Sequence, residues 1–222
     1  MFDMPRDCRT GATNAAAMLI FIPPRSRHAA GRDDDPRHQN GSGATEIADR
    51  IERAGPRIEL AIVHEEGGIR LDAYGDSFPN ARLTRSESGV LEVVLHTDNG
   101  TLVFDEYTHV QFVDLFHIMG SDPDNRVVIL TGTGQAFMES IRPEGFDFFA
   151  PQGYDKIYRE GKKVLMNILD IEAPLIAALN GRVRLHSEYV LLADIALATP
   201  ATVFQDKPHF EFRIVPGGGV RG

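Results

Sequence analysis

The segments RVVILTG (residues 126–132) and PLIAALNG (residues 174–181) decide the fold of this chain. Each is a short, nearly unbroken run of valine, isoleucine, leucine and alanine that ends in a glycine turn. Runs without polar alternation are typical of strands in a parallel sheet whose faces are covered by helices. Between them, residues 155–169 (DKIYREGKKVLMNIL) place apolar side chains at helical spacing. The order strand, helix, strand predicts an α/β fold.

Similar patterns extend on both sides of these two strands. Upstream, residues 81–85 and 90–97 flank a short turn and predict a β-hairpin, and residues 110–119 predict an amphipathic helix. Downstream, residues 188–192 predict a short helix and residues 195–198 predict a third strand. The chain therefore alternates strands with helices over most of its second half.

Residues 1–73 predict an N-terminal extension that is largely disordered, ahead of a folded core at residues 74–222. Residues 25–43 are charged and nearly free of large apolar side chains, so they cannot bury enough surface to offset the entropy of ordering. Within the extension, residues 44–54 have the spacing of a short helix and residues 58–63 that of a strand. The apolar run at residues 15–23 is too short to span a bilayer and lacks the flanks of a signal peptide.

Composition narrows the function classes. The 222 residues are 42% apolar and 25% charged, which is ordinary for a soluble domain with a hydrophobic core. The formal charge of −9 argues against nucleic acid as a partner, because binding phosphate needs clustered lysine and arginine. A single cysteine, Cys8, excludes an internal disulfide and fits a reducing compartment, so we expect a cytoplasmic protein without membrane partners.

The common catalytic motifs are missing from the sequence. Gly132-Thr133-Gly134 follows a strand, but Phe137 stands where a dinucleotide-binding loop needs its third glycine. Neither a G-x-S-x-G nor an H-E-x-x-H motif is present. The candidate site residues are instead His186, Glu188 and His209, because histidine gives or takes a proton near neutral pH. Asp206, three residues before His209, either orients that ring or caps a turn, and a purely structural His209 stays open.

Several segments resemble the crotonase superfamily, which includes enoyl-CoA hydratases and isomerases. The resemblance runs from about Tyr74 to Gly219 and is closest to the 6-oxocamphor hydrolase-like β-diketone hydrolases. It implies a ββα-spiral fold, assembly as trimers or dimers of trimers, a small-molecule substrate, and no cofactor or metal. The general motifs are residues 127–137 (VVILTGTGQAF), 173–181 (APLIAALNG), 193–195 (ADI) and 214–219 (IVPGGG), and those of the hydrolase branch are residues 204–210 (FQDKPHF), 186–188 (HSE) and 108–109 (TH).

The resemblance also implies roles for individual residues. His209 corresponds to the histidine that activates water, and His186 and His109 to histidines that contact the substrate oxygens. The backbone N–H of Ile141 and a second one near His186 would form an oxyanion hole. Glu188 falls near the first of the two glutamates that hydratases use, whereas His209 stands near the second.

Two departures from the family pattern bear on activity. Gly218 occupies the position of the aspartate that orients the catalytic histidine, and Asp206 or Glu211 would have to replace it. The sequence stops at Gly222, so we expect a C-terminally truncated crotonase-like core that lacks the closing helices and forms a homotrimer or hexamer if these are supplied. Three hypotheses follow: a hydrolase that cleaves a C–C bond of a cyclic β-diketone, an enoyl-CoA hydratase or isomerase that uses Glu188, and an inactive truncated protein.

Overall fold

The structure, a computed structural model, describes residues 18–21 and 69–213 of the chain. The strands within these residues are β1 (Met18–Phe21), β2 (Ala81–Arg85), β3 (Val90–Leu95), β4 (Val103–Phe104), β5 (Val127–Gly132), β6 (Ala136–Met138), β7 (Ser140–Ile141), β8 (Leu175–Ala178), β9 (Arg182–Val183) and β10 (Ile195–Ala198). The helices are α1 (Leu71–Tyr74), α2 (Glu106–Ser121), α3 (Pro151–Leu169), α4 (Ser187–Leu191) and α5 (Lys207–Phe212).

A six-stranded sheet with the order β1-β10-β8-β5-β3-β2 organises the fold. The inner strands β3, β5, β8 and β10 run parallel, and β1 and β2 pair antiparallel at the two edges. Side chains such as Leu91, Val128 and Ala177 on the inner strands are fully buried, because helices cover the sheet. The α/β prediction and its three apolar strands are therefore confirmed.

The predicted hairpin and helices are present, but the helices begin earlier than their apolar pattern. The hairpin pairs Ala81 with Leu95 across its open end. Helix α2 begins at Glu106 because Asp105 caps it: the Asp105 carboxylate accepts hydrogen bonds from the N–H and hydroxyl of Thr108. Helix α3 begins at Pro151, since proline suits the first helical turn, where no N–H is needed.

Helices α2 and α3 pack against each other and carry much of the core. Helix α2 buries Phe112 and Phe116, and α3 buries Val164 and Ile168. The Asn167 side chain donates a hydrogen bond to the Val113 carbonyl and so links the two helices at 2.8 Å. This pairing brings residues about fifty positions apart in sequence into contact.

Two short pairs of strands lie outside the six-stranded sheet. β4 pairs with β7 and β6 pairs with β9, both in parallel. Sequence analysis missed these strands because two or three residues give no measurable periodicity. The crossing of β6 and β9 requires Gly181, since a Cβ there would lie 2.0 Å from the Gln135 carbonyl oxygen.

Part of the predicted extension joins the sheet. β1 pairs with β10 from Met18 opposite Ala198 to Phe21 opposite Ile195, so a strand occurs in a region where we predicted none. The proposed boundary at residue 73 falls within α1, and Ile69 and Leu71 pack against the core. The disorder predicted for residues 25–43, the elements predicted at 44–54 and 58–63, and the glycine loop with Gly218 lie outside the described residues. None of the helices described is long and apolar enough to cross a membrane.

Candidate active site

Three histidines in the described structure each have a carboxylate against ring nitrogen Nδ1. A carboxylate can only accept a hydrogen bond, so in the neutral imidazole the proton sits on Nδ1 and the Nε2 lone pair stays free. This is the arrangement that general-base catalysis requires of a histidine. The pairs are His109 with Glu160 at 3.0 Å, His186 with Glu188 at 2.8 Å and His209 with Asp206 at 2.5 Å.

His186 stands at the N-terminus of α4 in a left-handed backbone conformation, with φ 50° and ψ 40°. This region is uncommon for a residue with a side chain, and such strain concentrates at functional positions. The ring stacks on Tyr189 at 4.8 Å and tilts against Phe104 at 4.3 Å, so its orientation is held from two sides. The left-handed backbone and the two ring contacts together orient the His186 imidazole.

His109 projects from α2 into the interior, where only 3% of the residue is exposed. Its ring lies perpendicular to the rings of Phe104 and Phe146, each at a centroid distance of 5.9 Å, and 6.5 Å from the His186 ring. Burial lowers the pKa of His109, and the opposing hydrogen bond with Glu160 does not cancel that effect. His109 is therefore a neutral imidazole near neutral pH.

His209 lies in the short helix α5, directly after Pro208 in its first turn. Asp206 precedes the helix, makes no capping hydrogen bond, and contacts the His209 ring instead. Glu211, the other carboxylate considered for this role, pairs with Lys207 at 3.2 Å. Of the two candidates, Asp206 is the one in contact with His209.

Glu188 links the His186 and His209 parts of the site electrostatically. Burial by itself would raise the pKa of the Glu188 carboxyl. The charge and hydrogen bond of His186, with a further contribution from the charge of His209, outweigh burial, so the pKa is lowered. The charge of His209 thus acts on the Glu188 carboxyl. That His186, Glu188 and His209 form one site stays a prediction.

An aromatic stack runs alongside the histidines. Phe104 stacks on Phe146 at 6.4 Å, Phe146 on Phe148 at 5.3 Å, and Phe148 on Phe212 of α5 at 5.3 Å. The stack therefore extends from the His109 and His186 rings to the helix that carries His209. It offers an apolar surface that contacts the His109 and His186 rings, which suits a compact cyclic molecule.

Ile141, which the resemblance assigns as an oxyanion-hole donor, lies in β7 opposite Phe104 of β4. The Arg142 N–H donates to the Phe104 carbonyl at 2.7 Å. Because successive N–H groups of a strand point in opposite directions, the Ile141 N–H points away from β4. The role of this N–H toward a substrate stays a prediction.

Sequence reasoning missed Glu160 and the outer part of the aromatic stack. Glu160 lies 51 positions from His109, on a helix whose polar face reads as ordinary solvated surface. Phe148 and Phe212 lie in segments with no strong periodicity. No local signal identifies these residues, because their role depends on the packing of α2 against α3 and of α5 against the loop before α3.

No family model matches the chain. Among solved structures, the β-diketone hydrolase ABDH from the cyanobacterium Anabaena, bound to (S)-3-oxocyclohexyl acetic acid, is 52% identical with a TM-score of 0.64; the match covers 66% of this chain and 59% of that one. An enoyl-CoA hydratase/carnitine racemase from Magnetospirillum magneticum is 23% identical with a TM-score of 0.54, covering 65% of this chain and 55% of that one. An enoyl-CoA hydratase from Shewanella pealeana is 14% identical with a TM-score of 0.52, covering 57% and 49%.

The two hydratases share only the fold with this chain, whereas the hydrolase has the same amino acid at more than half of the aligned positions. The chain spans 59% of the length of that hydrolase. The resemblance to the crotonase superfamily predicted from the sequence is confirmed: the chain is similar to a β-diketone hydrolase and shares the fold of two enoyl-CoA hydratases.

Proposed function

We propose that this protein hydrolyses a C–C bond of a cyclic 1,3-diketone. The observation that carries the proposal is the pair of His209 and Asp206, which leaves Nε2 of His209 as an oriented base on the helix whose Phe212 joins the aromatic stack. The 52% identity to a β-diketone hydrolase supports the same chemistry. The substrate is therefore expected to be a compact, largely apolar diketone.

The first step is the addition of water to one carbonyl. The oxygen of a water molecule bonds to the carbonyl carbon, Nε2 of His209 takes a proton from that water, and the carbonyl π electrons move to oxygen. General-base assistance of this kind contributes about 10²–10⁴ in rate. Asp206 stabilises the imidazolium that forms, because its carboxylate accepts the Nδ1–H hydrogen bond.

The second step breaks the C–C bond. The tetrahedral alkoxide re-forms a C=O bond and becomes a carboxylic acid, while the electrons of the breaking bond move onto the second carbonyl as an enolate. The His209 imidazolium returns its proton to the enolate carbon, so the product is a single keto acid in which the former ring still joins the ketone and the carboxylic acid. One water is consumed, and the base is regenerated.

The negative charge that develops on the two substrate oxygens must be stabilised by hydrogen-bond donors. The backbone N–H of Ile141 and one near His186 serve the tetrahedral oxygen, and each such donor is typically worth about 10²–10³ in rate. The rings of His186 and His109 contact the carbonyl oxygens. Because Glu160 holds the ring proton on Nδ1 of His109, a carbonyl oxygen at Nε2 requires that the ring gain a second proton when substrate binds, whereas an enol hydroxyl can donate to the neutral ring.

The hydratase hypothesis is less well supported by the geometry. Hydration of an enoyl thioester needs a carboxyl group that can hand over a proton. The Glu188 carboxylate already accepts a hydrogen bond from His186, and its pKa is lowered. Glu188 therefore fits better as the partner that orients His186.

The test is turnover of cyclohexane-1,3-dione and a bicyclic 1,3-diketone by the purified full chain, in ¹⁸O-labelled water. We expect loss of diketone absorbance and one ¹⁸O in the carboxyl product, and a decrease of about 10²–10⁴ in kcat for His209→Ala. Crotonyl-CoA is the parallel substrate, and hydration that disappears in Glu188→Gln would instead support the hydratase.

Absence of turnover with both substrates, in a chain that is folded by circular dichroism, would refute the proposal and favour an inactive protein. The mass of the assembly in solution, from light scattering, tests the expected homotrimer or hexamer independently of activity.

A further inference from the structure

Helix α3 contains two glycines that differ in what surrounds them. A Cβ at Gly153 would lie 2.2 Å from the Asp147 carbonyl oxygen, so no side chain fits there. A Cβ at Gly161 would meet only Nε2 of His109, at 3.8 Å, which is an ordinary van der Waals distance. Glycine is a poor helix former, so an alanine at residue 161 would favour the helix without any clash.

The atom that Gly161 faces is the unused nitrogen of the most buried histidine of the site. Nδ1 of His109 is engaged by Glu160, the residue next to Gly161 in sequence. No hydrogen bond joins Nε2 to another residue in the described part of the chain. The perpendicular rings of Phe104 and Phe146 hold the ring in place, so it cannot easily turn toward another partner.

We propose that Gly161 is a specificity-determining residue, because its missing side chain leaves the space in which an oxygen of the bound substrate makes a hydrogen bond with His109 Nε2. This inference rests on the proposed diketone hydrolysis. A hydrogen-bonded oxygen lies about 2.7–3.2 Å from nitrogen. On the Gly161 side of the ring, that place overlaps with a Cβ at residue 161. A methyl group and a substrate oxygen cannot both occupy it.

The geometry also limits the substrate at this end of the site. Because a Cβ at residue 161 would lie only 3.8 Å from Nε2, we expect the space between the helix and the ring to accept a bare oxygen and no substituent on it. The perpendicular rings of Phe104 and Phe146 contact the same histidine, so we expect the carbon frame that carries the oxygen to be apolar. A cyclic diketone whose second oxygen reaches Nε2 meets both conditions.

The first experiment compares Gly161→Ala and Gly161→Ser with Lys162→Ala, an exposed position on the same helix. We expect Gly161→Ala to raise the melting temperature and to lower kcat/KM for the diketone by about 10–100-fold, because a buried hydrogen bond is lost. Lys162→Ala should keep wild-type kcat/KM. A Gly161→Ala enzyme with wild-type kcat/KM would overturn the proposal.

A double-mutant cycle separates this role from a general effect on the helix. In a His109→Gln background the oxygen has lost its nitrogen partner, so Gly161→Ala should cost little further activity. An equal loss in both backgrounds would show that residue 161 acts independently of His109 and would refute the inference.

A binding experiment keeps the inference testable if the chain turns over no diketone. The ring nitrogens of histidine are labelled with ¹⁵N, and 3-oxocyclohexyl acetic acid, the compound bound to the similar hydrolase, is the probe. We expect the His109 Nε2 resonance to shift in the wild type and in Lys162→Ala, and to stay unchanged in Gly161→Ala. That result without turnover would support the inference while the proposed function fails. An Nε2 resonance that does not shift in the wild type, or shifts equally in Gly161→Ala, would overturn the inference.

Discussion

Replacing Asp206 with asparagine should slow diketone hydrolysis by about 10²–10³ and leave the fold intact. The Asp206 carboxylate lies 2.5 Å from Nδ1 of His209 and holds the proton there, so Nε2 is free to accept the proton of water. An asparagine amide offers both a donor and an acceptor to Nδ1, and the donor stabilises the tautomer in which Nε2 already carries a proton. In that tautomer His209 cannot act as the base.

The magnitude follows from how exposed the pair is. In a serine protease triad, where the aspartate is buried, the corresponding substitution costs about 10⁴ in kcat. Here 29% of the His209 side chain and 28% of the Asp206 side chain are exposed. Water therefore competes for Nδ1 and lets a fraction of the rings adopt the active tautomer, which places the expected loss below that of the triad. Asp206 makes no helix cap, so folding stability should fall by less than about 1 kcal/mol.

The assay measures kcat and KM of the wild type, Asp206→Asn, Asp206→Glu and Glu211→Gln with the same diketone. We expect Asp206→Asn to lower kcat with little change in KM, since Asp206 contacts the base and not the substrate. Asp206→Glu should recover part of the activity. Glu211→Gln is the matched control on the same helix, because Glu211 pairs with Lys207, and it should behave as the wild type.

Ring ¹⁵N shifts of His209 provide a readout that a merely structural role would not move. The wild type should carry the proton on Nδ1, and Asp206→Asn should shift the population toward Nε2. If Asp206→Asn keeps both the wild-type tautomer and the wild-type kcat, the carboxylate does not orient the base and the reasoning fails.

Three further predictions concern pH, the core and the aromatic stack. Burial lowers the pKa of His109 below its ordinary 6.5, so near that pH the unfolded chain binds a proton that the folded chain does not. The free energy of unfolding should therefore fall as pH drops below 6.5. In urea titrations His109→Gln should reduce this pH dependence, and an unchanged dependence would contradict the prediction. Asp122 is fully buried and accepts hydrogen bonds from Arg85 and Tyr74, so Asp122→Ala should lower the free energy of unfolding by about 3–5 kcal/mol. Asp124 is half-exposed, so Asp124→Ala should lower it by less than about 1 kcal/mol. Similar losses for both variants would argue against a buried network. Phe148→Ala should raise KM for the diketone about tenfold, because it removes the middle of the aromatic stack. Phe149 is 84% exposed, so Phe149→Ala should leave KM unchanged. Equal effects of the two substitutions would mean that the stack does not line the substrate site.

The parts of the fold that follow from sequence are those with local periodicity. β5 and β8 could be read from unbroken apolar runs, and the β2–β3 hairpin from two alternating segments around a turn. The ladders of β4 with β7 and β6 with β9 could not, because two-residue strands carry no period and exist only where distant loops meet. The strand β1 was also missed, since its pairing with β10 joins segments more than 170 positions apart.

The same distinction between local and long-range information applies to the residues of the candidate site. His186, His209 and Asp206 belong to short segments whose residue types suggest proton transfer, and the sequence by itself was enough to name them. It left open whether Asp206 or Glu211 accompanies His209, because both are within one helical turn and only the backbone conformation before α5 decides which carboxylate reaches Nδ1. Glu160 and Gly161 were identified only from the tertiary structure, because the packing of α3 on α2 places them against His109. The sequence of α3 alone does not indicate which of its residues will contact a buried ring about fifty positions away.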